Sequence, residues 1–155
     1  MSMADARFED GATRPINLVA RGVEDLAVLS ALVQDAVLTA GDMRYVKSRR
    51  RFALLINRFR WEDGAARAAE RVRSLLVFDD VTVVQGQGVD RKDPDLVLSL
   101  LSLDFAPGDD GQGVVTLTFA GDGALALAVE ALDVSLQDVT RPYLAPSRLT
   151  PQHPE

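Results

Sequence analysis

Between Arg51 and Trp61 the side chains alternate with period two: Phe52, Leu54 and Ile56 fall on one face, Ala53, Leu55, Phe59 and Trp61 on the other. No other stretch limits the fold as tightly. Period two means β-strand, and apolar residues on both faces predict a central strand between two packed layers. The polar run Lys47-Ser48-Arg49-Arg50 supplies a turn before it. Ahead of that turn, Ala36 to Val46 carries β-branched and aromatic residues interrupted by Gly41-Asp42. Gln34 to Glu62 therefore reads as a long β-hairpin with a basic tip. At Gly41 either a bulge bends one strand or the strand breaks in two.

The same period recurs downstream. Val72, Ser74, Leu76 and Phe78 alternate with Arg71, Arg73, Leu75 and Val77, and Asp79-Asp80 is a turn. Val81 to Gln85 is the next strand, ending in Gly86 and Gly88. Val115, Leu117 and Phe119 form a half-buried strand closed by the hairpin loop Gly121-Asp122-Gly123. From Ala124 to Val139 a strand with a bulge near Glu130 fits the apolar phases. A tight loop after a strong strand favours it over a helix with Leu125, Val129, Leu132 and Leu136 on one face.

Helical spacing is confined to a few places. After a short strand at Ile16 to Ala20, Leu26, Leu29, Val33 and Ala36 share a helical face. Glu24 and Asp25 suit the N-terminal dipole, and the helix is expected to end near Asp35. Asp93-Pro94-Asp95 is a good helix start. It leads either to a short helix at Leu96 to Leu101 and a strand from Ser102, or to one strand from Leu96 to Phe105. Ala65 to Glu70 is a helical turn or a loop.

These readings predict an α+β domain: mainly antiparallel sheet of seven or eight strands, barrel-like or two-layer, with one or two helices. The domain is expected over residues 15–140, with residues 1–14 and the Pro-rich segment 141–155 disordered. Gly22-Val23-Glu24 with Asp25-Leu26 and Val28-Leu29-Ser30 echoes Gly88-Val89-Asp90 with Asp95-Leu96 and Val97-Leu98-Ser99. Two strand–helix–hairpin units, at 15–62 and 71–139, are one reading. Coincidence among common residues is the other.

Composition narrows the function classes. A net charge of −6 works against wholesale binding to nucleic acid or acidic membranes. Without cysteine, disulfides, thiolate metal sites and thiol nucleophiles are excluded. The single histidine, His153, lies in the Pro-rich tail, which argues against histidine-based triads and zinc sites. No apolar run approaches the roughly 18 residues of a membrane span. Met1 to Pro15 has no apolar core of a secretory signal, so a cytoplasmic setting is expected. Gly86-Gln87-Gly88 lacks the third glycine and the long helix of a nucleotide-binding turn. No cofactor and no metal are expected.

The polar residues worth following are few. Lys47, Arg49, Arg50 and Arg51, with Arg44 nearby, form an anion patch or a solvated hairpin tip. Arg58 and Arg60 continue the face of Phe52, Leu54 and Ile56, so they emerge from the sheet or pair with carboxylates. Asn57, mid-strand among apolar residues, needs partners. Trp61-Glu62 is a ligand platform or a core cap. Gln34 and Asp35 end the first helix facing the hairpin. With Glu62 or Asp90, Asp35 would make a paired-carboxylate site. The blander reading is that Asp35 and Asp90 hold arginines such as Arg58 and Arg91.

Several stretches resemble a bacterial family known only as domain of unknown function 2948. They are Asp25 to Ser30, Gln34-Asp35-Ala36, Arg51-Phe52-Ala53, Asn57-Arg58-Phe59-Arg60-Trp61-Glu62, Gly88-Val89-Asp90-Arg91, Leu98 to Leu101, and Val115 to Gly121. The resemblance covers roughly residues 16 to 140 in order, and the Asn-Arg-Phe-Arg-Trp-Glu run is its most specific part. It implies a small stand-alone bacterial protein and supplies no catalytic residues. The leading expectation is a non-catalytic binding or assembly module with a protein partner. The alternatives are a small-ligand protein or enzyme using carboxylates and arginines, and RNA or anion binding through the hairpin arginines.

Overall fold

A computed structural model of the chain describes residues 15–61, 70–90 and 92–144. Asn17–Ala20 is β1 and Val23–Leu32 is the helix α1. Val37–Thr39 (β2) and Met43–Val46 (β3) flank a 3-10 turn at Ala40–Asp42. A second such turn, Lys47–Arg49, leads to β4 at Arg51–Phe59. There follow β5 (Glu70–Phe78), β6 (Val81–Gln87), β7 (Val97–Pro107), β8 (Gly113–Phe119), β9 (Ala124–Val129), β10 (Val134–Asp138) and the two-residue β11 (Tyr143–Leu144).

These eleven strands make one antiparallel sheet in the order β1-β10-β5-β4-β2-β7-β8-β9-β6, with β3 beside β4 and β11 beside β5. The α+β class and the antiparallel pairing are as expected. The strand count is higher, and the sheet does not close into a barrel: β1 and β6 are its two ends.

The extra strands have identifiable causes. The hairpin forms as read, with Met43 opposite Leu54 and Val46 opposite Arg51. At Gly41 the strand breaks rather than bulges. Its backbone N–H donates to Pro94 O at 2.9 Å, and a Cβ there would lie 3.0 Å from that carbonyl oxygen. The turn lets β2 leave β4 and pair with β7, Val37 opposite Ser99 and Thr39 opposite Val97. The segment after Gly123 is strand, as predicted, but the irregularity near Glu130 is a break. Asp79 N–H donates to Asp133 O at 2.9 Å and Glu130 N–H to Asp80 O at 3.0 Å. The β5–β6 and β9–β10 corners thus run side by side and carry the β5–β10 pair over into the β6–β9 pair.

Other expectations need correction. No second helix forms at Asp93: its carboxylate accepts the N–H of Asp95 at 3.1 Å, its carbonyl that of Leu96 at 3.2 Å, and β7 begins at Val97. The cap closes a single turn, so the second strand–helix–hairpin unit lacks its helix. Tyr143 and Leu144, placed by sequence in a disordered tail, pair with Arg71 and Glu70. Helix α1 stops at Leu32, earlier than expected, although Leu26, Leu29, Val33 and Ala36 are all buried on one face. The predicted sandwiching of β4 is half right. Phe52, Leu54 and Ile56 line the core, whereas on the other face Ala53 and Leu55 are half-buried and Phe59 alone of the apolar residues of β4 there is buried. Glu62, Arg91, most of the segment read as a helical turn at 65–70, residues 1–14 and residues 145–155 lie outside the described residues.

One hydrophobic core collects the inward faces of both sheet regions and α1. Phe52, Phe78 and Phe119 are at most 1% exposed, each contributing about 1.5–3 kcal/mol by burial. Ser30 ties the helix to β7 by accepting the N–H of Leu103 at 3.0 Å.

Candidate functional site

Period two carries Arg58 onto the inward face of β4, after Phe52, Leu54 and Ile56, and it is fully buried. Its Nε donates to Ser74 Oγ and Asp138 Oδ1, both at 3.1 Å. Its Nη2 donates to Asp138 Oδ2 at 2.9 Å and its Nη1 to Phe59 O at 3.1 Å. Ser74 Oγ donates to Asp138 Oδ1 at 2.6 Å, and the Ile16 N–H to Asp138 Oδ2 at 2.9 Å. The Asp138 side chain is 4% exposed. This is a two-point guanidinium–carboxylate pair with its remaining valences satisfied, the arrangement a buried pair requires. It fastens β4, β5 and β10 to the chain entering β1. It holds its arginine with Asp138, a residue the sequence reading passed over.

Arg60, 2% exposed, donates from Nη1 to Glu70 Oε1 at 2.7 Å, and its backbone N–H donates to Glu70 O at 3.1 Å. Beside it, the Arg71 guanidinium lies 4.5 Å from the centroid of the Phe59 ring, a cation–π contact. Trp61 packs against Phe59 with ring centroids 5.6 Å apart and the planes tilted by 47°, and its Nε1 donates to Gln34 O at 2.9 Å. The structure therefore brings Gln34 to Trp61. Asn57 accepts the Tyr143 hydroxyl at 2.7 Å, the amide partner its mid-strand position demanded. Asp35 stands at φ 64° and donates its N–H to Leu100 O at 2.7 Å. Asp90 accepts the N–H of Lys92 at 2.9 Å within its own turn.

The hairpin tip divides. Arg50 pairs with Glu130, and Arg51 with Asp79 at 2.8 Å. The Arg50 carbonyl accepts the Val81 N–H at 2.8 Å, and the Tyr45 hydroxyl donates to Val81 O at 2.8 Å. These contacts seat the tip on the β5–β6 corner. Lys47 and Arg49 stay exposed.

The surface feature that sequence reasoning missed is β6. All its residues after Val81 except the half-buried Val84 are exposed. It ends the sheet, and among the described residues the one strand it pairs with is β9. The hydrogen-bonding phase follows from the β8–β9 turn, where Phe119 N–H donates to Gly123 O at 2.8 Å. Ala124, Ala126 and Ala128 must then turn their main-chain groups to β6, opposite Gln87, Gln85 and Val83. Val84 and Gly86 consequently turn N–H and C=O outward. Beside this edge, on the outer face, lies an open depression of about 420 Å³ whose lining includes Thr82, Ala128, Val114, Asp109, Gln112 and Glu130. The opposite edge, β1, differs. It has four residues. The Ile16 carbonyl accepts from Asp138 N–H, so Asn17 and Val19 face out, next to Pro15, which has no N–H to offer. A short edge ending in proline is a guarded edge. β6 carries neither charge nor proline.

The fold and these sites define a class: an open antiparallel α+β sheet protein with charge pairs buried between strands and an end strand, β6, that carries neither charge nor proline. The chain matches the family model described as "Protein of unknown function (DUF2948)" over residues 16–153, and it belongs to that family. No curated protein and no solved structure matches it. No helix among the described residues is long and apolar enough to cross a membrane.

Proposed function

We propose that this protein is a non-catalytic binding module that takes up a protein partner along the open edge of its sheet. The observation that carries this reading is β6: seven residues without charge or proline, five of them exposed, with Val84 and Gly86 turning main-chain groups away from β9. Natural sheets blunt such edges unless something pairs with them, and an added strand is a recurrent mode of peptide recognition. The buried arginines support the same reading, since Arg58 and Arg60 are engaged with Asp138 and Glu70 inside the protein. A cytoplasmic setting accords with the absence of cysteine.

The test is a peptide-display selection on immobilised wild type and on Gly86→Pro in parallel. Proline at this position removes an outward N–H and leaves the β9 side of the strand paired. Selective enrichment of extended sequences on wild type, with both proteins giving the same circular-dichroism spectrum, supports the reading. Equal enrichment on both, or none on either, rejects it. A second reading, anion or RNA binding at the hairpin tip, is supported by the exposed Lys47 and Arg49. It predicts binding that weakens steeply with salt.

A further inference from the structure

We infer that the strand received by β6 is an extended, lysine- or arginine-bearing segment of a partner protein, its basic side chains lying over the outer face toward Asp109 and Glu130. This rests on the edge reading above and adds the chemistry of the occupant.

Three observations combine. The first is the direction of the free groups. With Val84 and Gly86 presenting N–H and C=O outward, an incoming strand continues the sheet beyond β9 and β6. Its alternate side chains then fall on the two faces. Those on the inner side meet Val84, which packs against the core, and so favour β-branched residues. Those on the outer side continue the rows that run through Val83, Ala128 and Val114, and through Gln85, Ala126 and Thr116.

The second is what those outer rows reach. The depression starts at Thr82, on β6 itself, and has Asp109 and Glu130 in its wall. One strand spacing, about 4.8 Å, separates an added strand from β6; Glu130, just after β9, is the nearer acid, and Asp109, in the β7–β8 turn, stands on the far wall of the depression. The surface between is small and uncharged, with Ala124, Ala126 and Ala128 along β9, so a long aliphatic stem can lie flat with its cationic head over the acids.

The third is charge. Residues 80–132, which hold β6 to β9, carry nine acidic residues against Arg91 and Lys92. The potential over this region favours a cationic partner and repels an acidic one. It also argues against a second copy as the occupant. Antiparallel pairing of β6 with itself would bring the Asp80 end of one copy against the Asp90 end of the other. The hairpin tip reduces this field at the Val81 end, where Arg50 pairs with Glu130, Arg51 pairs with Asp79, and Lys47 and Arg49 are exposed. Asp109 is exposed with no side-chain partner among the described residues.

The experiment titrates the isotope-labelled full chain with the synthetic peptide Lys-Val-Lys-Thr-Lys-Val-Lys, and separately with its counterpart bearing glutamate at every lysine. The expected result is amide shifts confined to Thr82–Gln87 and the depression, with new exchange protection at Val84 and Gly86, for the lysine peptide only. Asp109→Asn combined with Glu130→Gln should weaken its binding about tenfold, the loss of one charge-assisted contact. Gly86→Pro should abolish it. Equal binding of both peptides overturns the charge inference and leaves the edge reading standing. No shift up to about 1 mM lysine peptide overturns the inference, and the edge reading then stands or falls on the display selection. A dimer of the free protein that Gly86→Pro converts to monomer also overturns it, with a second copy as the occupant.

Discussion

Asp138→Ala tests whether the buried charge pair holds the sheet together. The substitution removes the carboxylate that receives Arg58 at two atoms, the Ser74 hydroxyl and the Ile16 N–H. Arg58 is fully buried, so its guanidinium loses its counter-ion where water cannot replace it. Breaking such a pair costs about 3–5 kcal/mol. A domain of this size has a total stability of about 5–15 kcal/mol. With a urea slope of about 2 kcal/mol per molar, the midpoint should fall by about 1.5–2.5 M. Arg58→Met should cost less, because Asp138 keeps two donors, Ser74 and Ile16. The double variant Arg58→Met/Asp138→Leu should be more stable than Asp138→Ala alone, since no charge is left stranded. Urea unfolding followed by far-ultraviolet circular dichroism reads all three. A loss below about 1 kcal/mol for Asp138→Ala, the range of exposed pairs, would refute the reasoning. So would a double variant no more stable than Asp138→Ala.

Gly113→Ala should destabilise by about 1–3 kcal/mol, because its Cβ would sit 2.5 Å from the Ala106 carbonyl oxygen and 2.5 Å from the Phe105 ring; thermal unfolding checks this, and an unchanged melting temperature counts against it. Arg51→Ala, which breaks an exposed pair with Asp79, should change stability by no more than about 1 kcal/mol in the same assay. Trp61→Phe keeps a ring against Phe59 but drops the bond to Gln34 O. It should cost about 0.5–1.5 kcal/mol by urea titration; a larger loss would mean the indole does more than cap this corner.

Parts of the site were legible in the chain. Arg58 and Arg60 sit in phase with three core residues, which forced the choice between emerging from the sheet and pairing with carboxylates. The same arithmetic applied to β10 puts Asp138 in phase with Val134 and Leu136, and applied to β5 it puts Ser74 between Val72 and Leu76. Three polar residues at inward positions on three strands signal one shared cluster. What the pattern lacks is adjacency: Asp138 lies 80 residues from Arg58, and β10 reaches β5 only because the chain turns back at residues 130–133. The partners of two hairpin arginines were hidden for the same reason, since Glu130 and Asp79 come from corners that the sequence places far from Arg50 and Arg51.

Side-chain alternation is a local property, set by the backbone of each strand, so the sequence by itself determined most of the strands and which of their side chains face in. It also determined the helix that buries Leu26 and Leu29, and the polar tip of the β3–β4 hairpin. Only the tertiary structure decided which strands neighbour one another: that β2 deserts β4 for β7, that β1 and β6 end the sheet, and that β6 is left open beside an acid-walled depression. An edge is defined by the neighbour a strand lacks. The missing neighbour depends on how the whole chain closes on itself, and no window of residues carries that information.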